Sequence, residues 1–178
     1  MHVFICSVVF NLLFLANTHL PGKSLIDWSP ERKLVWSDFR ARPVTGTRVA
    51  ALSGTSIKVD FEFTDESMRY HIRCQFDRER SWGRVKTAYI LSHEQLHFDI
   101  AELYARKLNK ALSMYRHFGR ENEKEVDEVY QHVMRVYRDE QEEYDQETDF
   151  SIDRAEQARW SKKISAELKA LRSFGDYR

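Results

Sequence analysis

Apolar residues recur at helical spacing in three stretches of the chain and alternate with polar residues in a fourth. The longest helical pattern covers residues 86–116 and contains neither Pro nor Gly. Similar spacing predicts further helices at about 121–144 and 153–172. Between residues 57 and 76, apolar side chains occupy every second position on either side of a polar turn. This alternation predicts an antiparallel hairpin with one buried face.

The chain ahead of the hairpin gives weaker signals. Residues 25–28 and 33–39 each hold a Trp in a short apolar stretch and predict two brief extended segments. Residues 40–56 are rich in Gly, Ser and Thr and predict a loop with a short strand at 49–52. This loop is a candidate to line a substrate site. The whole pattern predicts an α+β fold with a small antiparallel sheet packed on the long helix and two further C-terminal helices.

The N-terminus carries an uncharged apolar run at residues 3–16, which Pro21 and Gly22 follow. The run is too short for a comfortable membrane span and suits a secretory signal peptide, although the usual preceding basic residue is missing. We therefore predict a signal peptide at 1–22, with an uncleaved anchor or a buried strand as alternatives. Residues 23–178 are predicted to form a single exported domain, periplasmic or secreted, with no stable membrane span after processing.

Composition narrows the classes of function. The 178 residues are 42% hydrophobic, which is enough for one substantial core. Basic and acidic residues both number 28, so no overall positive field attracts nucleic acid, and we expect no nucleic-acid partner. Once the N-terminal run is removed, Cys74 is the only cysteine left, so we expect no intramolecular disulfide and interpret Cys74 as a small buried hydrophobe.

The longest predicted helix contains His-Glu-x-x-His, formed by His93, Glu94 and His97. Two histidines four positions apart lie about 40° apart on one helical face, so both imidazoles can reach one tetrahedral Zn²⁺. Glu94 lies next to that face and can take a proton from a zinc-bound water without being a ligand. The alternative is a chance motif with two structural histidines. The apolar stripe beside the pair favours the metal site.

Four segments resemble the bacterial domain of unknown function 922 family, described as predicted secreted zinc-dependent proteases. They read WSDF at 36–39, SW at 81–82, HEQLHFDI at 93–100, and YDQET at 144–148 with Gln157 and Trp160 after it. The resemblance covers nearly the whole chain after residue 22. It implies a small exported metalloprotease with a zincin-like fold.

The chain departs from that family pattern at one position. The pattern usually has a His two residues after YDQET, and this chain has Phe150. If that His is a zinc ligand, the site here is degenerate. If it lies outside the metal's ligands, the site survives.

A catalytic zinc needs a third protein ligand. Asp99 and Glu102 lie about 140° to 160° around the helix from the histidine pair, too far to share its metal. Asp99 is instead a candidate to accept a hydrogen bond from a ligand imidazole. The acids at the end of the second helix are better candidates, in the order Glu147, Asp145, Asp149. Three histidines remain as alternatives: His71, His117 and His132.

These residues predict a zinc metallopeptidase acting on a protein or peptide outside the cytoplasm. Glu94 would deprotonate the attacking water and return the proton to the leaving amine. Tyr144 is a candidate donor to the tetrahedral oxyanion. An edge strand of the 57–76 hairpin is a candidate to pair with the substrate main chain, unless it is only core sheet.

Two other functions stay open. A non-catalytic envelope or secreted binding protein with a degenerate metal site is favoured by Phe150. A metal-dependent hydrolase of a non-peptide substrate is the third. The sequence does not indicate the oligomeric state.

Overall fold

The computed structural model describes residues 23–115, 117 and 119–177, so the predicted signal peptide at 1–22 lies outside the described residues. Within them the fold is α+β, as predicted, with antiparallel strands in two small sheets and three α-helices. No helix in this part of the chain is both long and apolar enough to cross a membrane.

The larger sheet is built on the predicted hairpin. Strands β3 (Thr55–Phe63) and β4 (Met68–Asp77) pair in antiparallel register, and β1 (Leu25–Asp27) pairs with the other edge of β4. Ile57 lies opposite Cys74, and directly opposed residues of two paired strands point to the same face of the sheet, so both side chains are buried together. The prediction of a hairpin with one buried face is confirmed, and so is the buried Cys74.

One strand of a second, two-stranded sheet lies inside the predicted loop. Strand β2 (Ala51–Leu52) pairs antiparallel with β5 (Trp82–Gly83), which confirms a short strand in this region. A Cβ on Gly83 would lie 2.5 Å from the Trp36 ring, so only glycine allows this contact. The segment predicted as extended at 33–39 instead contains a 3₁₀ turn at Trp36–Asp38. Asp38 accounts for the turn, because its carboxylate accepts a hydrogen bond from the Val35 amide at 3.0 Å.

Three helices follow the sheets, with bounds close to those predicted: α1 (Ala88–Leu112), α2 (Glu123–Glu147) and α3 (Arg154–Ala170). The Thr87 hydroxyl caps α1 by accepting from the amide of Ile90 at 3.1 Å. The Asp153 carboxylate caps α3 in the same way, by accepting from the amides of Ala155 and Glu156.

Helix α1 is the centre of the molecule, because the hairpin, α2 and α3 all pack against it. Its buried positions even include Glu102, which pairs with Arg106 at 2.8 Å and accepts a hydrogen bond from the Tyr177 hydroxyl. A helix enclosed on several sides is a rigid support for side chains that need fixed positions.

The first turns of helix α3 bury a different face from the one that the apolar spacing predicts. That spacing places Ala155, Ala158 and Ile164 inward; Ile164 is buried, as predicted, but Ala155 and Ala158 are exposed, and Gln157 and Trp160 are buried instead. The large Trp160 ring removes more apolar area from water than two alanines do, so it determines the face that packs.

Candidate metal centre

The two motif histidines lie one turn apart on α1, as predicted. Their rings meet edge to face with centroids 4.8 Å apart, and the Nε2 atoms of His93 and His97 are 3.2 Å apart. His93 is buried and His97 is half-buried. Both nitrogens therefore point at one location beside the helix.

Asp145 on α2 completes a triangle of donor atoms. Its Oδ1 atom lies 3.2 Å from the Nε2 of His93 and 3.1 Å from the Nε2 of His97. A tetrahedral Zn²⁺ with ligands at about 2.0–2.1 Å requires donor atoms about 3.3–3.4 Å apart. The three atoms are within a few tenths of an ångström of that requirement, so this donor set fits zinc.

The electrostatics of the triangle follow from burial and from Asp145. Burial lowers the pKa of His93, and hydrogen bonding to Asp145 offsets only part of this effect. Burial also disfavours charge on His97, but the hydrogen bond and charge of Asp145 outweigh it and raise the pKa of His97 to about 9. The pKa of Asp145 falls well below its usual range despite burial, because both imidazoles hydrogen-bond to it.

Gln141, one turn before Asp145 on α2, orients His97. Its Oε1 atom lies 2.5 Å from the Nδ1 of His97, and its amide nitrogen donates to the carbonyl oxygen of His97 at 2.9 Å. A carboxamide oxygen can only accept, so Nδ1 carries the proton and Nε2 is left for a metal.

Gln157 on α3 has a similar position at His93. This glutamine is buried, and its amide donates to the Ser92 hydroxyl at 2.9 Å, while its side chain also interacts with His93 and favours the protonated imidazole. The Nδ1 of His93 has no hydrogen-bond partner within the described part of the chain. The sequence prediction gave no role to either glutamine, although Gln141 lies beside His97 and Gln157 lies beside His93.

Glu94 faces the same cavity as the histidines. Its side chain is buried, and its Oε2 atom has no hydrogen-bond partner among the described residues. Burial raises the pKa of the Glu94 carboxyl, and the charge of His97 and the nearby Ser53 hydroxyl offset only part of the shift. A buried carboxylate oxygen without a partner, next to a set of potential metal ligands, can accept a proton from a bound water.

The cavity around these groups has a volume of about 380 Å³. One wall is the segment 49–55, which includes β2 and the first residue of β3. The opposite wall is the face of α2 that carries Tyr137, Gln141 and Asp145. The 40–56 loop was a candidate to line a substrate site, and its residues 49–55 do line this cavity.

Glu147, the first choice for third ligand, lies away from the histidines. Its Oε2 atom accepts from the indole nitrogen of Trp160 at 2.6 Å and also pairs with Arg159. Two residues along a helix correspond to about 200°, so Glu147 and Asp145 point to opposite sides of α2. The structure therefore brings Asp145, the second choice, to the histidines. Asp149, the third choice, is exposed and pairs with Arg48 at 3.4 Å.

Tyr144 is placed under the histidines and does not line the cavity. Its ring stacks on His93 with centroids 4.5 Å apart and meets His97 edge to face at 4.9 Å. The fully buried hydroxyl donates to the backbone carbonyl of His93 at 3.4 Å, and burial raises its pKa. The predicted oxyanion role does not fit this position. Tyr137, which sequence reasoning missed, does line the cavity.

The remaining candidates lie elsewhere. Asp99 accepts hydrogen bonds from the indole of Trp28 at 2.7 Å and from Gln95 at 2.9 Å, so its expected bond to a ligand imidazole is replaced by a contact that anchors the N-terminal segment. The three alternative histidines, at positions 71, 117 and 132, are exposed.

A family model described as "Bacterial protein of unknown function (DUF922)" matches residues 26–151. The chain belongs to this family. The match includes both motif histidines, Glu94 and Asp145, and it confirms the resemblance drawn from the sequence segments. Comparison with curated proteins and with solved structures gave no match.

Phe150, the position where the chain departs from the family pattern, lines the cavity. It lies between Asp149 and Ser151 in a run of three residues with φ of 44°, 53° and 74°. Left-handed backbone is unfavourable for such side chains, so the surrounding structure must stabilise this turn. The turn directs residue 150 toward the metal centre.

Proposed function

We propose that this protein is a zinc-dependent metallopeptidase with a zincin-like arrangement of the motif helix against an antiparallel sheet. His93, His97 and Asp145 would hold Zn²⁺, and Glu94 would be the proton acceptor. The observation that carries the proposal is the triangle of donor atoms 3.1–3.2 Å apart, beside a buried carboxylate oxygen without a partner.

When bound, Zn²⁺ supplies Lewis acidity that acidifies water and polarises a carbonyl group. Glu94 then accepts a proton at Oε2 and passes it to the amine that leaves. Burial raises the pKa of Glu94, which makes its carboxylate a stronger base than an exposed one. The residue is suited to this task without being a ligand.

Tyr137 is our candidate for a donor to the developing oxyanion, in place of Tyr144. It lines the cavity, and its hydroxyl lies 2.9 Å from the Thr55 hydroxyl. A hydroxyl hydrogen can rotate toward a substrate oxygen when Thr55 acts as the donor to Tyr137.

The cavity wall offers a segment of main chain to an extended peptide. Residues 49–55 line the cavity, and only two of them, Ala51 and Leu52, pair with β5. Main-chain groups of such a wall can pair with a substrate backbone. The apolar run at residues 3–16 supports an exported protein, so the proposed substrate is a peptide or protein outside the cytoplasm.

The test compares purified wild type with Glu94→Gln. We expect one zinc per chain in both proteins by metal analysis, because Glu94 is not a ligand. Hydrolysis of a fluorescence-quenched peptide pool should fall by about 10²- to 10⁴-fold in the variant. The exposed Glu143→Gln is the matched control and should keep both properties. A folded, zinc-supplied wild type without bound zinc would overturn the proposal.

A second candidate is a non-catalytic exported binding protein that keeps a metal site. Phe150 favours it, because an apolar ring lines the cavity at the position where the family pattern usually has a His. Zinc binding without hydrolysis of any peptide in the pool would support this candidate.

A further inference from the structure

Two arginines in the cavity wall lack an acidic partner. Arg80 and Arg138 both line the cavity of the metal centre and are exposed to solvent. Neither guanidinium makes a salt bridge or a hydrogen bond to any residue in the described part of the chain.

Other arginines near this region have hydrogen-bond or salt-bridge partners. Arg48 pairs with Asp149, and Arg78 pairs with Asp38 at 3.2 Å. Arg84 instead donates to two backbone carbonyls, one of them that of Val49 at 2.8 Å. Arg80 and Arg138 differ from these three neighbours in having no side-chain partner among the described residues, and they share that property with Arg135, which does not line the cavity.

The two arginines lie on opposite walls. Arg80 packs beside Gly54, since a Cβ on that glycine would come within 2.9 Å of the Arg80 Cβ. The adjacent Ser53 donates to the carbonyl of Glu94 at 3.3 Å, which places Arg80 on the Glu94 side. Arg138 lies three residues before Gln141 on α2, and therefore on the His97 side.

A guanidinium presents a planar set of donors that matches a carboxylate, and such charge-assisted hydrogen bonds are stronger than neutral ones. Glu142 also lines the cavity and forms no salt bridge among the described residues. The unpaired wall charges are thus two positive and one negative. Asp145 and Glu94 together carry two negative charges that Zn²⁺ would balance, so the loaded cavity keeps a positive excess.

We propose that Arg80 and Arg138 bind carboxylate groups of the substrate, so that the site takes acidic peptides. The carboxylate would be an acidic side chain next to the bond that is cut, or the free C-terminus of the peptide. This inference rests on the proposed function, because it treats the bound peptide as a substrate. The binding of carboxylate-bearing peptides can be tested separately from their hydrolysis.

The experiment measures peptide binding by calorimetry to zinc-supplied Glu94→Gln protein, in which turnover is suppressed. Three peptides of equal length are compared: a neutral amidated peptide, the same peptide with two internal Glu residues, and the neutral peptide with a free C-terminus. Arg80→Gln and Arg138→Gln are made in the same background. Arg135→Gln is the control, because Arg135 is exposed on α2 but does not line the cavity.

We expect at least one carboxylate peptide to bind about tenfold more tightly than the neutral peptide. Arg80→Gln or Arg138→Gln should remove most of that difference, and Arg135→Gln should not. A gain limited to the free C-terminus assigns the terminal carboxylate, and a gain limited to the internal Glu peptide assigns the side chain. Circular dichroism checks that each exposed-residue variant is folded.

Equal affinity for the three peptides, no binding by any of them, or full affinity in both cavity arginine variants would overturn the inference. The proposed function fails separately. If no zinc binds but acidic peptides still bind through the arginines, the peptidase proposal fails and the carboxylate site stands. If wild type cleaves neutral and acidic peptides equally well, the peptidase stands and the carboxylate site fails.

Discussion

The Nδ1 atom of His97 lies 2.5 Å from the Oε1 atom of Gln141, and the amide of the same glutamine donates back to the His97 carbonyl. These two hydrogen bonds to Gln141 fix both the ring and the backbone of His97. Since the carboxamide is held from both ends, it cannot flip without losing the bond from its nitrogen. The His97 imidazole is therefore preorganised with Nε2 toward Asp145.

Removing this support should weaken metal binding without removing a ligand. We expect Gln141→Ala to lower zinc affinity by about 10- to 100-fold, the usual effect of losing a partner that orients a ligand. Competition with a chromophoric chelator measures the change. Gln146→Ala, on the same helix and exposed, should keep the wild-type affinity. Equal affinities for the two variants would contradict the role of Gln141.

The identity of the third ligand can be decided by two neutral substitutions. Asp145→Asn should strip zinc or weaken its binding by at least about 100-fold, because a carboxamide is a poor zinc ligand. Glu147→Gln should leave zinc bound, because its carboxylate contacts Arg159 and Trp160. Metal analysis after dialysis distinguishes them. Loss of zinc from the Glu147 variant alone would identify Glu147 as the third ligand.

The sequence predicted the motif helix, the hairpin and the two histidines because each is encoded by local spacing. It also predicted that the third ligand comes from the end of α2. The choice among Asp145, Glu147 and Asp149 depends on the rotation of α2 about its axis against α1, which is a tertiary property. The weak amphipathic signal near the end of a charged helix does not determine that rotation.

Tyr144 and Gln157 illustrate the same limit. From the sequence, a Tyr near a helix end can always be read as a hydrogen-bond donor to a ligand. In the structure the Tyr144 ring instead packs against the imidazoles of His93 and His97. Gln157 is a polar residue that the apolar periodicity of α3 treats as exposed, yet it is buried against Ser92. One signal was available for Gln141: it precedes Asp145 by four residues, the same spacing as the histidine pair.

Phe150→His tests whether residue 150 can reach the metal. We expect zinc affinity to rise by about tenfold or more, since the side chain enters the same cavity and His tolerates positive φ better than Phe. On the proposed ligation by His93, His97 and Asp145, a fourth protein ligand would occupy the open position, so hydrolysis should not increase.

Phe150→Leu serves as the control without a donor atom. Newly gained hydrolysis in Phe150→His would show that the natural site lacks a ligand and that Asp145 does not replace it. An unchanged zinc affinity would place residue 150 outside the metal's reach.

A hydrogen-bonded and ion-paired network around Glu140, away from the candidate metal centre, should make stability depend on pH. Burial alone disfavours charge on Glu140, but Lys163 at 2.7 Å and the Tyr104 hydroxyl outweigh it and lower the pKa of Glu140. A lowered folded-state pKa gives stability that is present above the unfolded value of about 4.3 and is lost as the pH falls through the folded value.

We therefore expect Glu140→Gln to lower the free energy of unfolding by about 1–3 kcal/mol at pH 7, and by progressively less below about pH 4. Urea unfolding with a chelator present measures this without a contribution from zinc. Glu143→Gln, exposed on the same helix, should show little change at either pH. A deficit that stays constant from pH 7 to pH 3 would argue against an ionised Glu140.

The position of Asp145 on a different helix from the histidines has a consequence for natural length variation. One residue inserted in α2 ahead of Gln141 would rotate both Gln141 and Asp145 by about 100° about the helix axis and carry them away from α1. One residue inserted between Gln141 and Asp145 would place the two side chains on different faces of α2. The connection at 113–122 contributes no described residue to the cavity. We therefore expect insertions and deletions among relatives to concentrate between α1 and α2 and to be rare between residues 123 and 145.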